Sequence, residues 1–212
     1  MELVDQIVMD EMSYTISGKG VDGIGKGKIR LSSAAHLMCM VDCSFTCILF
    51  SLPATLNQGR RGVLTGTSGV ITLMNCSLKR NPDVDSLSFS FLSLPFVPSV
   101  SLTIHNCPFA DLSFTGECIV ESGYGAEIII ENSNFTSIRR ESGNGSCMCV
   151  WTGIDEWNGM ITVESCIFTD CHVESNERGG GATYFELRNG IEAEVIECGC
   201  TGCSAPYTTQ AS

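Results

Sequence analysis

Six segments of this chain repeat one pattern, and that repetition restricts the fold more than any other feature. The clearest copies are Leu102-Thr103-Ile104-His105-Asn106-Cys107-Pro108-Phe109, Ile128-Ile129-Ile130-Glu131-Asn132-Ser133-Asn134-Phe135 and Ile161-Thr162-Val163-Glu164-Ser165-Cys166-Ile167-Phe168. Weaker copies run over 38–45 and 71–78, and a degenerate one over 193–200. The polar position falls at Asp42, Asn75, Asn106, Asn132, Ser165 and Glu197, at spacings of 33, 31, 26, 33 and 32 residues. Each copy begins with period-2 alternation, the signature of a strand with one buried face. The alternation stops at Asn-Cys, which reads as a tight corner because Asn tolerates left-handed backbone. Strands of a β-sandwich recur every ~8–12 residues. A strand-plus-corner unit at much longer spacing, without helical periodicity between copies, predicts a solenoid of stacked β coils.

In a parallel stack like positions lie ~4.8 Å apart. The pattern therefore predicts three columns. Asn75, Asn106 and Asn132 form an amide ladder. Cys43, Cys76, Cys107, Cys166 and Cys198 form a second column, interrupted by Ser133. Phe45, Phe109, Phe135 and Phe168 form an aromatic stack inside. The expected fold is all-β: a right-handed parallel β-helix of about six coils over 31–203, with 1–30 as a cap or first strands and 204–212 as a polar tail. Residues 3–12 suit a short amphipathic capping helix, and Gln6-Ile7-Val8-Met9 suits a first strand equally well. The polar tail offers no convincing cap, so the coils are expected to continue in a longer parent.

The arrangement resembles the right-handed parallel β-helices of the pectin-lyase-like superfamily. The residues that carry it best are Ile161 to Cys171 followed by Gly179-Gly180-Gly181-Ala182-Thr183-Tyr184, which look like repeats of polymorphic outer-membrane proteins and of large protist surface proteins. Where those repeats have Phe-x-x-Asn, this chain has Phe168-x-x-Cys171, and it carries one Gly-Gly-Ala only. The resemblance implies carbohydrate chemistry as the activity to look for. The hydrolases of that fold use Asn-Thr-Asp, Gly-His-Gly and Arg-Ile-Lys, none of which occurs here. The lyases use a cluster of Asp residues around calcium. Asp83 and Asp85 are the only close pair on an apparent loop, too few oxygens for that ion, and read as solvated loop residues.

Among 212 residues, 24 acidic and 12 basic ones give a net charge of −12, which disfavours nucleic acid as a partner. No apolar run approaches the ~20 residues of a membrane helix. The N-terminus, Met1 to Gln6, lacks a secretory pattern as written. The 13 cysteines are an odd number. Cys198-x-Cys200-x-x-Cys203 and Cys147-x-Cys149 tempt a zinc reading but lack a second matched knuckle. The alternatives are local disulfides near the C-terminal coil, given an oxidising compartment, or stacked thiols. Of His36, His105 and His172, the last follows Cys171, and adjacent residues of an extended chain face opposite ways, so no nucleophilic Cys-His pair is expected. Neither metal nor cofactor is expected. Glycosylation acceptors stand at Asn75, Asn134 and Asn144, with Asn144 the one expected to be accessible.

Basic residues pair as Arg60-Arg61, Lys79-Arg80 and Arg139-Arg140. Lys79, Arg80, Arg139 and Arg140 follow their corners at similar distances; they read as isolated surface charges first, and as the alternative candidates for a small basic strip able to grip an anionic sugar or a protein. Binding residues are expected in the loops 53–69, 79–99 and 139–159. The expected function is a non-enzymatic, cell-surface or secreted module, adhesin-like or structural, that contacts glycan or protein. The alternative is a polysaccharide lyase or hydrolase with an unrecognised acidic site, and a third reading is a cytosolic scaffold.

Overall fold

The computed structural model describes the strand backbones Glu2–Leu3, Gln6–Met9, Tyr14–Ser17, Gly27–Leu31 and His36–Cys39, and most of 43–206. Within that stretch 47, 54–55, 57–61, 67, 81–84, 95–99, 124–125, 152–159, 176–179 and 188–191 lie outside the described residues, as do 40–42 and 207–212. Arg60, Arg61, Asp83 and Asp42 therefore fall outside them, together with parts of the three loops named above.

The chain is a β-solenoid. Among the described residues every strand pairing is parallel and none is helical. Among the described residues, no helix is long and apolar enough to cross a membrane. Each coil lays a strand on each of three faces. The first face is a seven-stranded sheet from Gln6–Met9 to Thr183–Glu186, and the second a seven-stranded sheet from Tyr14–Ser17 to Glu192–Ile196. The third runs Glu2–Leu3, Gly27–Leu31, Ile48–Ser51, Ser77–Lys79, then Pro108–Phe114, Asn134–Ser142, Ile167–Thr169 and Gly199–Thr201. Residues 62–175 make about four complete turns, and the seven strands on each of the first two faces carry the stack beyond them at both ends, so the count differs from the six coils expected. The capping helix is corrected: Gln6–Met9 is a strand, in parallel register with His36–Cys39. A helix there would leave the edge of 36–39 unpaired, whereas the strand satisfies its backbone groups.

The inward halves of the alternating strands make one continuous core. On the second face Ile71, Leu102, Ile128 and Ile161 stack in register, as do Leu73, Ile104, Ile130 and Val163, all buried. Each such side chain contributes roughly 1.5–3 kcal/mol by leaving water. In the last described coil this lining is open: Val195, in register with Val163, is 58% exposed.

The corner residues adopt the left-handed conformation the sequence suggests. Asn75, Asn106 and Asn132 have φ of 54°, 52° and 50°, and the interrupting residues Ser165 and Glu197 have 50° and 51°. The Asn106 amide donates to Asn75 Oδ1 at 2.5 Å. Each thiol behind the corner then serves the backbone. Cys76 Sγ donates to Phe45 O (3.3 Å), Cys166 Sγ to Glu164 O (3.2 Å) and Cys198 Sγ to Val163 O (3.3 Å). Cys107 accepts from the Cys76 amide at 3.2 Å, and Ser133 Oγ takes the same role for Cys107 N at 3.1 Å. Cys43 does not belong to this column. Its strand, Cys43–Thr46, pairs with the second face, setting Cys43 beside Ile71 and Phe45 beside Leu73. Phe50 then takes the third-face position in that coil, and Phe45 meets it edge-on at 5.8 Å.

The corner separates two contributions that mutation can distinguish. Asn106→Gly keeps a residue at ease with positive φ and loses only the amide bond. Asn106→Ala also pays the left-handed strain of about 1–2 kcal/mol. Urea melts are expected to rank wild type above Gly and Gly above Ala; an Ala variant as stable as the Gly variant would remove backbone strain from the explanation.

Candidate functional site

A second corner, absent from the sequence reading, positions the site. Asp111, Ser137 and Asp170 have φ of 55°, 54° and 51°, and Gly202 has 68°. Each stands five residues after the first corner of its coil, at 106, 132, 165 and 197. A short third-face strand lies between the two corners, and the chain then resumes alternation. Residues just past the second corner point inward: Leu112, Ile138 and Cys171 are buried, and Cys203 is partly buried. The next residues face outward and stack. Arg139 pairs in register with His172, and His172 bridges to Ser204.

These outward residues line an open groove of about 540 Å³, formed by Arg139, His172, Glu174, Ser204, Ala205 and Pro206 over the buried Val173. His172 Nδ1 lies 2.8 Å from Ser204 Oγ. Arg139 and Glu174 are exposed, and Glu141 is exposed two residues from Arg139 on the same strand. The groove thus offers a guanidinium, an imidazole, a hydroxyl and a carboxylate within three adjacent strands, a donor and acceptor set suited to carboxylates and hydroxyls.

Arg140 is withdrawn from the basic strip. Its register neighbours Phe114 and Val173 are core residues, and Arg140 itself is 4% exposed. Nε donates to Gly116 O at 3.1 Å, and Nη1 to Asn144 O at 2.5 Å and Gly145 O at 3.0 Å; Nη2 also bonds Gly116 O. The guanidinium therefore clasps two turns of neighbouring coils. Gly143 makes room for it: with φ of +114°, a Cβ there would fall 2.5 Å from the guanidinium carbon. Two buried thiols feel this charge. Burial pushes Cys149 up to about 11 against the pull of Arg140. Burial likewise holds Cys118 well above the usual thiol range, again opposed by Arg140. Glu121, nearly buried on the first face, accepts from Ser90 Oγ at 3.2 Å.

The other candidates lie apart. Lys79 is exposed at the end of its strand, and Arg80 donates to Asp85 O, away from the groove. Only Arg139 of the four basic residues lines it. His105 pairs with Glu131 at 3.4 Å on the outside of the second face. Cys171 and His172 face opposite ways, inside and out. Among the described residues no cluster of His, Cys, Asp and Glu is arranged to hold a metal ion, and the described cysteines are thiols rather than disulfides. Cys198 and Cys203 belong to different corner columns, donating to Val163 O and Phe168 O (3.5 Å) respectively, so the spacing that tempts a zinc reading does not bring them to one point. Asn144 is half-buried, with its side-chain oxygen buried and unbonded, whereas Asn134 is exposed.

No family model matches the chain, and no curated protein or solved structure matches it.

Proposed function

We propose that the protein is a non-enzymatic module of the cell surface or extracellular space, of pectin-lyase-like architecture, that holds an acidic glycan along the outside of its third face. The observation that supports this reading is the groove in which Arg139, His172 and Ser204 stack on successive coils. Parallel strands ~4.8 Å apart place like groups at a spacing close to that of sugar rings in an extended chain. A guanidinium binds a carboxylate in two-pronged fashion, and the neighbouring imidazole and hydroxyl serve ring hydroxyls. On a body of net charge −12, a local cation also selects where an anionic ligand docks.

Incubation with immobilised acidic and neutral polysaccharides, followed by retention and by assay for new chain ends, tests it. Retention on acidic chains is expected, falling about tenfold in Arg139→Glu and several-fold in His172→Ala, the loss of roughly 1.4 kcal/mol that one good charged contact supplies. Unchanged retention in Arg139→Glu would remove the groove from the proposal.

One observation favours a second reading, polysaccharide cleavage. His172 Nδ1 stands 2.8 Å from Ser204 Oγ, with Glu174 in the same groove. New chain ends that vanish in His172→Ala would establish that reading; retention of intact chains supports the first.

A further inference from the structure

The inward side of the strands beneath the groove carries thiols in a graded order of burial. Cys147 and Cys171 are fully buried, and Cys203 is partly exposed in the last described coil. Cys147 Sγ and Cys171 Sγ are 3.5 Å apart. Ser204 N donates to Cys171 O at 3.0 Å and Val173 N to Ser204 O at 3.0 Å, so Cys171 and Cys203 sit side by side, each one residue before the parallel His172–Ser204 bridge. Strands so paired are ~4.8 Å apart, inside the ~4.4–6.8 Å Cα separation that a disulfide spans.

We propose that Cys171 and Cys203 form a redox-modification site that takes a small disulfide such as oxidised glutathione and closes as a Cys171–Cys203 bond, tying the last described coil to the coil beneath it. Of the two, Cys203, partly exposed where Cys171 is fully buried, is the thiol an oxidant reaches; the exposed Cys200 takes glutathione without a paired thiol beside it to close on. Its thiolate attacks one sulfur of oxidised glutathione; the Cys203–glutathione bond forms, the glutathione S–S bond breaks, and one glutathione leaves and takes up a proton. Cys171 then attacks the Cys203 sulfur and releases the second glutathione. Two electrons and two protons pass from the protein thiols to the oxidant, which departs as two reduced molecules.

Cys171 is suited to the second step. The Cys147 thiol donates to it and lowers it from the ordinary thiol range, while burial pushes Cys203 up to about 11 and Cys166 up to about 11. The Cys166–Cys198 pair is stacked in the same way in the other column, and among the described residues no third thiol donates to it from the core in the way Cys147 donates to Cys171. Cys147 is thus a positioning residue for Cys171. The site stands whether or not the groove above it binds a glycan.

The test is native wild-type protein held with oxidised glutathione at about pH 9, where more of the Cys203 thiol is ionised than at neutrality, then quenched with acid and mapped by non-reducing peptide mass spectrometry. The Cys171–Cys203 linkage is expected as the first protein disulfide. Cys171→Ser is expected to stop at glutathione on Cys203. Cys147→Ala is expected to slow closure about tenfold, with Cys147→Ser restoring it, since a hydroxyl still donates. Alkylation of unmodified protein supplies a measurement free of folding effects: Cys203 is expected to react before Cys171 and Cys147. A Cys166–Cys198 linkage formed first, a stable Cys203 adduct in wild type, or no reaction at Cys203 would each overturn the proposal.

Discussion

Arg140→Ala is expected to lower the unfolding free energy by about 4 kcal/mol, while the same change at the adjacent Arg139 stays within about 0.5 kcal/mol. The two residues share a strand and a charge, and differ in where the strand sends them. Arg139 is exposed on the groove, whereas Arg140 is 4% exposed and satisfies the carbonyls of Gly116, Asn144 and Gly145. A hydrogen bond from a charged donor is worth ~1.5–3 kcal/mol, and buried acceptors left without one cost their desolvation besides. Truncation therefore removes the clasp and strands its acceptors together. Arg140→Lys is expected to recover only part, because one ammonium cannot reproduce the fork that reaches both turns. Urea denaturation monitored by circular dichroism gives the comparison. A loss below about 1 kcal/mol at Arg140 would mean that water replaces the guanidinium without penalty.

The same pair shows where a sequence of this kind is readable and where it is not. The first corner was legible because Asn-Cys interrupts an otherwise strict alternation, and because stacking makes each coil repeat the choice. That reasoning extends to Ser165 and Glu197, which hold the corner conformation without an amide. The second corner was not legible. It is filled by Asp111, Ser137, Asp170 and Gly202, four positions sharing only small or polar character and tolerance of positive φ. Without it, the inside and outside of the residues that follow cannot be counted. Alternation carried straight through from Phe135 would send Arg139 inward and Arg140 outward. The left-handed residue at Ser137 resets the count, and Ile138 and Arg140 turn in. Cys43 and Phe45 fail for a related reason. Residues 43–45 and 48–50 present the same inward pattern five residues apart, and only pairing with 71–74 and 77–79 decides which run lies on which face. The fixed five-residue offset between a first-corner residue and a small or polar residue, visible as Asn106 with Asp111 and Ser165 with Asp170, is the signal that would have found the groove.

Phe135→Ala is expected to be as damaging as the loss of Arg140, by a different route. Phe135 is wholly buried on the third face between Phe109, centroid 5.2 Å away and tilted by 41°, and Phe168, 5.0 Å away and within 9° of parallel. Removing a core Phe costs ~3–5 kcal/mol, because the lost transfer energy is joined by the cavity left behind. The neighbours here are coils fixed by their backbone ladders above and below, so the space collapses poorly. In a solenoid each coil is held by its neighbours alone, so the cavity also weakens the coupling between the two halves of the stack. Unfolding of Phe135→Ala is therefore expected to broaden, with a lower dependence on urea than wild type, where Phe135→Leu shifts the midpoint modestly, by less than about 1.5 kcal/mol. Phe168→Ala provides the internal comparison. Its partner on the outer side is Cys200, exposed in the last described coil, so one wall of the new cavity is already open and the cost is expected nearer the bottom of the ~3–5 kcal/mol range. If Phe168→Ala proved the more damaging of the two, stability would reside in the terminal coil rather than in the aromatic stack at mid-height, and the account of the core as one continuous column would have to be abandoned.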